Sequence, residues 1–156
     1  MALSQGRTPL FDTMKTKKVI INDLGATRTL SVDETGSTVV FNRAAGIVVT
    51  LPLAVPGLHY EFVTSTSVTS NAYKVITGAA TEILIGGILS NDSDTGGAVV
   101  AFDSNGSTHI AVSMNGTTTG GLIGTRIRFT CLSTTRWIVE GVNVGSGTVA
   151  TPFATS

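Results

Sequence analysis

In the stretch Gly46–Phe62, reading GIVVTLPLAVPGLHYEF, Ile47, Val49 and Leu51 stand at every second position and so share one face of a strand. Pro52 lacks an N–H and ends the ladder. Pro56-Gly57 makes a turn, because proline presets its own φ and glycine accepts a positive one. Leu58, Tyr60 and Phe62 then alternate again, with His59 and Glu61 on the opposite face, which suits a polar or interfacial surface. The pattern predicts strand, corner, strand: a core hairpin around which the rest of the chain is arranged.

The same period of two recurs along the chain. Val19–Leu24 is an apolar run before a turn at Gly25, and the alternation then marks Leu30 with Val32, Val39 with Phe41, Tyr73 with Val75, and Ile83 with Ile85. Further on the apolar run Val99–Phe102 is another strand, and alternation marks Ile110, Val112 and Met114, then Ile123, Ile127, Phe129 and Cys131, and last Trp137 with Val139. Turn residues separate these runs at 33–37, 90–97 and 103–106, and Asn115-Gly116 is a hairpin dipeptide. No helical period exceeds one turn, and no repeat of fixed length is visible. About eleven short strands with turn signals between them predict an all-β protein, a single-domain antiparallel β-sandwich or barrel spanning residues 17–145. Residues 1–16 carry no period and read as an extended N-terminal arm, and residues 146–156 as a C-terminal arm. Tyr60, Phe62, Phe129 and Trp137 share parity with neighbouring aliphatics and form the predicted core.

Composition narrows the class. Lys and Arg number 10 and Asp and Glu 10, so the formal net charge is zero, which leaves no basic excess for a nucleic-acid partner. No apolar run reaches the length of a membrane span, and Met1–Lys18 lacks the apolar core of a secretory leader. Charged residues are 13%, about half of ordinary usage, while hydrophobic residues are 42%. A neutral, weakly charged surface is poorly soluble alone, so this composition implies a surface covered by copies of the chain or by a partner. The expected state is a closed homo-oligomer, most simply a trimer.

Candidate chemistry is sparse. Asp92 and Asp94 form D-x-D-x-G with Gly96, and alternating carboxylates in a tight loop can converge on Ca²⁺, although a solvated turn explains the same residues. Cys131 with His59 or His109 would make a nucleophile and base, but its parity with Ile127 and Phe129 points it into the core. Arg126, Arg128 and Arg136 line one face of a terminal hairpin, where three arginines suit an ion-pair surface more than a phosphate or nucleic-acid site. Asn91, Asn105 and Asn115 open N-x-Ser/Thr sequons that read as turn asparagines. No cofactor is expected and no catalytic constellation stands out, so the expectation is a protein without enzymatic activity.

A resemblance gives these features a context. AAGIVVTLP, PGLHYEFV and STTRWIVEG, with Gly145 close behind, resemble a β-module common in virion proteins of tailed bacteriophages. Thr50-Leu51-Pro52, Gly57, Tyr60, Phe62, Trp137 and Gly141 carry the likeness, which covers roughly residues 37–145. A short chain with arms is similar to the capsid (head) decoration proteins among them. The resemblance implies a phage structural protein on the capsid exterior of the virion, binding the outer lattice of the major capsid protein and its own sister copies. The alternative within the same resemblance is a tail or head fibre adhesin module that grips host-surface glycan. On the first reading Leu3, Leu10 and Phe11 are the apolar anchors of the N-terminal arm, and Arg7 and Lys15 pair with an acidic lattice.

Overall fold

A computed structural model describes residues 18–94 and 96–156. Among these residues twelve strands form two mixed sheets packed face to face. In chain order they are β1 (Ile20–Ile21), β2 (Thr27–Thr29), β3 (Thr38–Phe41), β4 (Ile47–Thr50), β5 (His59–Thr64), β6 (Tyr73–Ile76), β7 (Ile83–Asp92), β8 (Val99–Asp103), β9 (Ala111–Met114), β10 (Arg126–Ser133), β11 (Arg136–Gly145) and β12 (Phe153–Ala154). The seven-stranded sheet has the order β1-β3-β5-β10-β11-β7-β8, and the five-stranded sheet the order β12-β9-β6-β4-β2.

The all-β sandwich expected from alternation is the fold, but its strands are not uniformly antiparallel. From β1 to β7 each strand lies in the sheet opposite its predecessor. Strands that skip one place in sequence therefore run parallel: β1 with β3, β3 with β5, β2 with β4 and β4 with β6. The expected hairpin at 46–62 is thereby corrected. Its two strands, β4 and β5, belong to different sheets, and residues 51–58 carry the chain across the sandwich. Local alternation places Ile47, Val49, Tyr60 and Phe62 toward a core equally well in either arrangement, because both sheets face the same core. Direct hairpins occur at β7–β8 and β10–β11.

Three smaller departures have local causes. The strand expected through Val32 ends at Thr29; residues 32–34 form a 3₁₀ turn in which the Glu34 carboxylate accepts the Ser31 N–H at 2.8 Å. Leu30 is buried as expected and Val32 is exposed. In β7 the core residues are Leu84 and Ile88, and Ile83 and Ile85 face outward; apolar residues on both sides hid the parity. Asn115-Gly116 is not a hairpin turn. Asn115 Oδ1 accepts the N–H groups of Thr117 and Thr119, while a Cβ on Gly116 (φ 83°) would lie 1.9 Å from the Val68 carbonyl oxygen. Ile123, expected on the core face, is exposed in the loop before β10.

Aromatic residues from both sheets fill the space between them. Tyr60, Phe62, Phe129 and Trp137 are all buried on the inner face of the seven-stranded sheet. Phe62 meets Phe129 edge-on at 5.4 Å and Phe41 at 5.5 Å, and Phe41 stacks on Tyr73 of the other sheet at 4.5 Å. Tyr60 lies 6.3 Å from Trp137, and its hydroxyl donates to the Ser31 carbonyl at 2.8 Å.

Two buried polar knots close the sandwich. Glu82 accepts the N–H groups of Ala54 and Gly78 and the Trp137 indole N–H, tying the β4–β5 crossover to β11. Asn143 Oδ1 accepts from the Gly121 N–H and the Thr125 hydroxyl, and its Nδ2 donates to the Thr119 carbonyl at 2.8 Å. The chain end after Gly145, expected as an arm, crosses to the five-stranded sheet, where Phe153 and Ala154 pair with Val112 and Ala111. Phe153 is buried and stacks on His109 at 5.6 Å.

Candidate interaction surface

Register on the outer face of the seven-stranded sheet places side chains in rows across strands. One row reads Thr38, Glu61, Arg128, Glu140, with the charges alternating in sign. The next reads Val40, Val63, Arg126, Val142, Leu89, Ala101. The face is thus ionic near β5 and β10 and apolar toward β8.

Glu61 anchors the ionic part. Its side chain is only 7% exposed, although it points away from the hydrophobic core, because cations and Thr38 close over it. Lys18 Nζ lies 2.7 Å from Oε2, the Arg126 Nε–H donates to Oε1, and the Thr38 hydroxyl donates to Oε2 at 3.2 Å. Burial pushes the carboxyl up, but the hydrogen bonds and charges of Lys18 and Arg126 outweigh it and hold the pKa at about 2. Arg128 stands 4.0 Å from Glu61 and 3.5 Å from Glu140, extending the chain of charges. Arg136, grouped with Arg126 and Arg128 in the sequence, shares their face of the sheet but not their network. It lies six residues along β11 from the partner of Arg126, roughly 20 Å away, and donates to the Gly106 carbonyl.

The apolar part is built by Val142, Leu89 and Val99, which are 46%, 48% and 63% exposed, with Ala101 among them. These residues cannot reach the core: their strands alternate, and Asn143, Ile88 and Phe102 occupy the inward positions. These exposed residues are adjacent across three strands.

Other residues singled out by the sequence do not join this surface. Asp92 Oδ1 accepts the Asp94 N–H, bracing its own loop, and Asp94 Oδ2 accepts the Gly147 N–H at 2.7 Å, tying that loop to the segment after β11. Among the described residues no three His, Cys, Asp or Glu side chains converge as a metal site. Cys131 is buried, its thiol donates to the Ser133 carbonyl, and burial pushes its pKa up, the reverse of what a nucleophile needs. His109 accepts the Asn105 N–H, and His59 is exposed with Nδ1 3.2 Å from the Gly57 carbonyl. Asn105, like Asn115, caps its own loop. Leu3, Arg7, Leu10, Phe11 and Lys15 lie outside the described residues.

Sequence reasoning missed the surface residues Lys18, Glu140, Leu89 and Val142. The alternation of Glu61 with Tyr60 and Phe62 was the available signal for the ionic row. The apolar row carried no signal that set it apart from core.

Comparison of the chain with family models, with curated proteins and with solved structures gives no match.

Proposed function

We propose that the chain is a structural protein of a tailed-bacteriophage virion, a head decoration protein that docks on the outer capsid lattice and reinforces it. The observation that carries this reading is the outer face of the seven-stranded sheet, where Val142, Leu89, Ala101 and Val99 stand exposed beside the Glu61 network. An apolar strip flanked by fixed charges suits a permanent protein contact: the apolar area supplies the association energy and the charges set the register. The low charge content and the likeness of the TLP, G-x-x-Y-x-F and late Trp strands to phage virion modules point the same way. The partners on this reading are the major capsid protein and sister copies, and the place is the capsid exterior.

The glycan-gripping alternative needs an exposed aromatic platform. Among the described residues Phe41, Tyr60, Phe62, Tyr73, Phe129, Trp137 and Phe153 are buried and Phe102 is partly buried against the core. This favours the structural role.

The test is recovery with intact particles. The protein is expected to co-purify with capsids at a fixed, high copy number, and Leu89→Asp with Val142→Asp to lower that number sharply while the free protein stays folded. Recovery only with tails, or full occupancy by the double variant, contradicts the reading. Deleting residues 2–13 separates the arm from the sheet: the β-domain is expected to fold, because the strand pattern of the sequence runs from Val19 onward, and capsid occupancy to fall.

A further inference from the structure

The edges of the two sheets are unequal. β1 and β12 are two residues long and β2 three, whereas β8, which ends the seven-stranded sheet, is five residues long and reads Val-Val-Ala-Phe-Asp. It carries neither lysine nor proline nor a bulge, the usual devices that blunt an edge. The Asp92 N–H donates to the Ala98 carbonyl and the Ser104 N–H to the Gly86 carbonyl, at 3.1 and 2.9 Å. Even-numbered residues of this strand therefore exchange hydrogen bonds with β7. Alternation then turns the N–H and C=O of Val99, Ala101 and Asp103 away from β7, toward an edge that no strand among the described residues covers.

We infer that β8 pairs with β8 of a second copy, antiparallel, about a two-fold axis normal to the sheet through Ala101. The edge is self-complementary in that register. Val99 meets Asp103 of the other copy, Ala101 meets Ala101, and every outward N–H and C=O finds its counterpart. No carboxylate faces a carboxylate, the small Ala101 side chains allow close approach at the axis, and the chain's net charge of zero adds no general repulsion. The seven-stranded sheet becomes one sheet of fourteen strands across the pair. The exposed row Val142, Leu89, Ala101 then runs unbroken into the same row of the second copy, doubling the apolar strip. A second copy is favoured over a foreign strand because, when the sequence is laid against its own reverse, the outward backbone groups pair in register, the smallest side chains meet at the axis and no like charges are opposed. The pairing needs no capsid, so it is tested on the free protein, and its failure is distinct from failure of the proposed function.

The measurement is sedimentation equilibrium of the full chain, with three variants. Ala101→Pro removes an outward N–H and leaves the ladder to β7 intact; it is expected to halve the associating unit with no loss of β circular dichroism. Val99→Asp sets two carboxylates opposite each other and is expected to weaken association at least tenfold, whereas Val99→Lys faces Asp103 and retains it. Ala101→Cys brings two thiols to the axis, and mild oxidation is expected to give a covalent dimer on a non-reducing gel, with buried Cys131 unreactive. A monomeric wild type, a trimer, association untouched by Ala101→Pro, or no cross-link from Ala101→Cys each overturns the pairing.

Discussion

The inner and outer faces of the seven-stranded sheet are made by the same strands in the same register, yet they do different work. Inside, Tyr60, Phe62, Phe129 and Trp137 are sealed from water and hold the two sheets together. Outside, one residue away along each strand, Glu61, Arg128, Glu140, Val142 and Leu89 form a surface that the fold does not need for its core. On the proposed reading the inner face carries most of the stability and the outer face the recognition, so substitutions on the two should separate folding from association.

The largest effect is expected inside. Phe62→Ala removes a ring that touches both Phe41 and Phe129 and should cost about 3–5 kcal/mol in urea unfolding. A cost below 1 kcal/mol, on the order of a surface change, would break the distinction between the faces. Next come the polar knots. Asn143→Ala strands the Gly121 N–H and the Thr119 carbonyl in a buried place and should cost about 2–3 kcal/mol. A larger residue at Gly120 would meet the same Asn143 side chain, since a Cβ there falls 1.9 Å from Oδ1.

Glu61 stands between the two regimes, outward-facing yet closed over. Its folded pKa of about 2 lies below its ordinary 4.5, so its contribution to stability is complete above pH 4.5 and is lost as the pH falls toward 2. Lys18 and Arg126 are more than half exposed, which screens the pairs and limits the contribution to about 1–2 kcal/mol. Glu61→Gln should lower stability at pH 7 by that amount and flatten the pH dependence between 4.5 and 2, followed by thermal unfolding at several pH values. An unchanged acid profile would show that the network does not hold the carboxylate.

The inner face was legible in the sequence because large apolar residues at every second position have only one place to go. What the alternation could not specify was the sheet to which a strand belongs. Residues 51–58 close a hairpin or cross a sandwich with equal ease, and the crossing is set by partners far along the chain, such as Trp137 reaching Glu82. The Glu61 network was hidden for the same reason: Lys18 and Arg126 are 43 and 65 residues away from it. The apolar strip was hidden by its chemistry. In β7 the run Ile83, Leu84, Ile85 is apolar on both faces, so no contrast marked Leu89 as outward. The Glu82 and Asn143 knots use single polar residues whose value comes entirely from burial.

The smallest expected effect on folding is the most informative for function. Leu89→Ser with Val142→Ser alters only the outer strip and should change unfolding free energy by less than about 1 kcal/mol in total. The decisive measurement is the binding of this double variant to capsids lacking the wild-type protein, made beside its thermal unfolding. Unchanged unfolding with capsid occupancy reduced at least tenfold is the result this account predicts. Full occupancy by a folded variant would contradict it, because the exposed strip would then have no part in recognition.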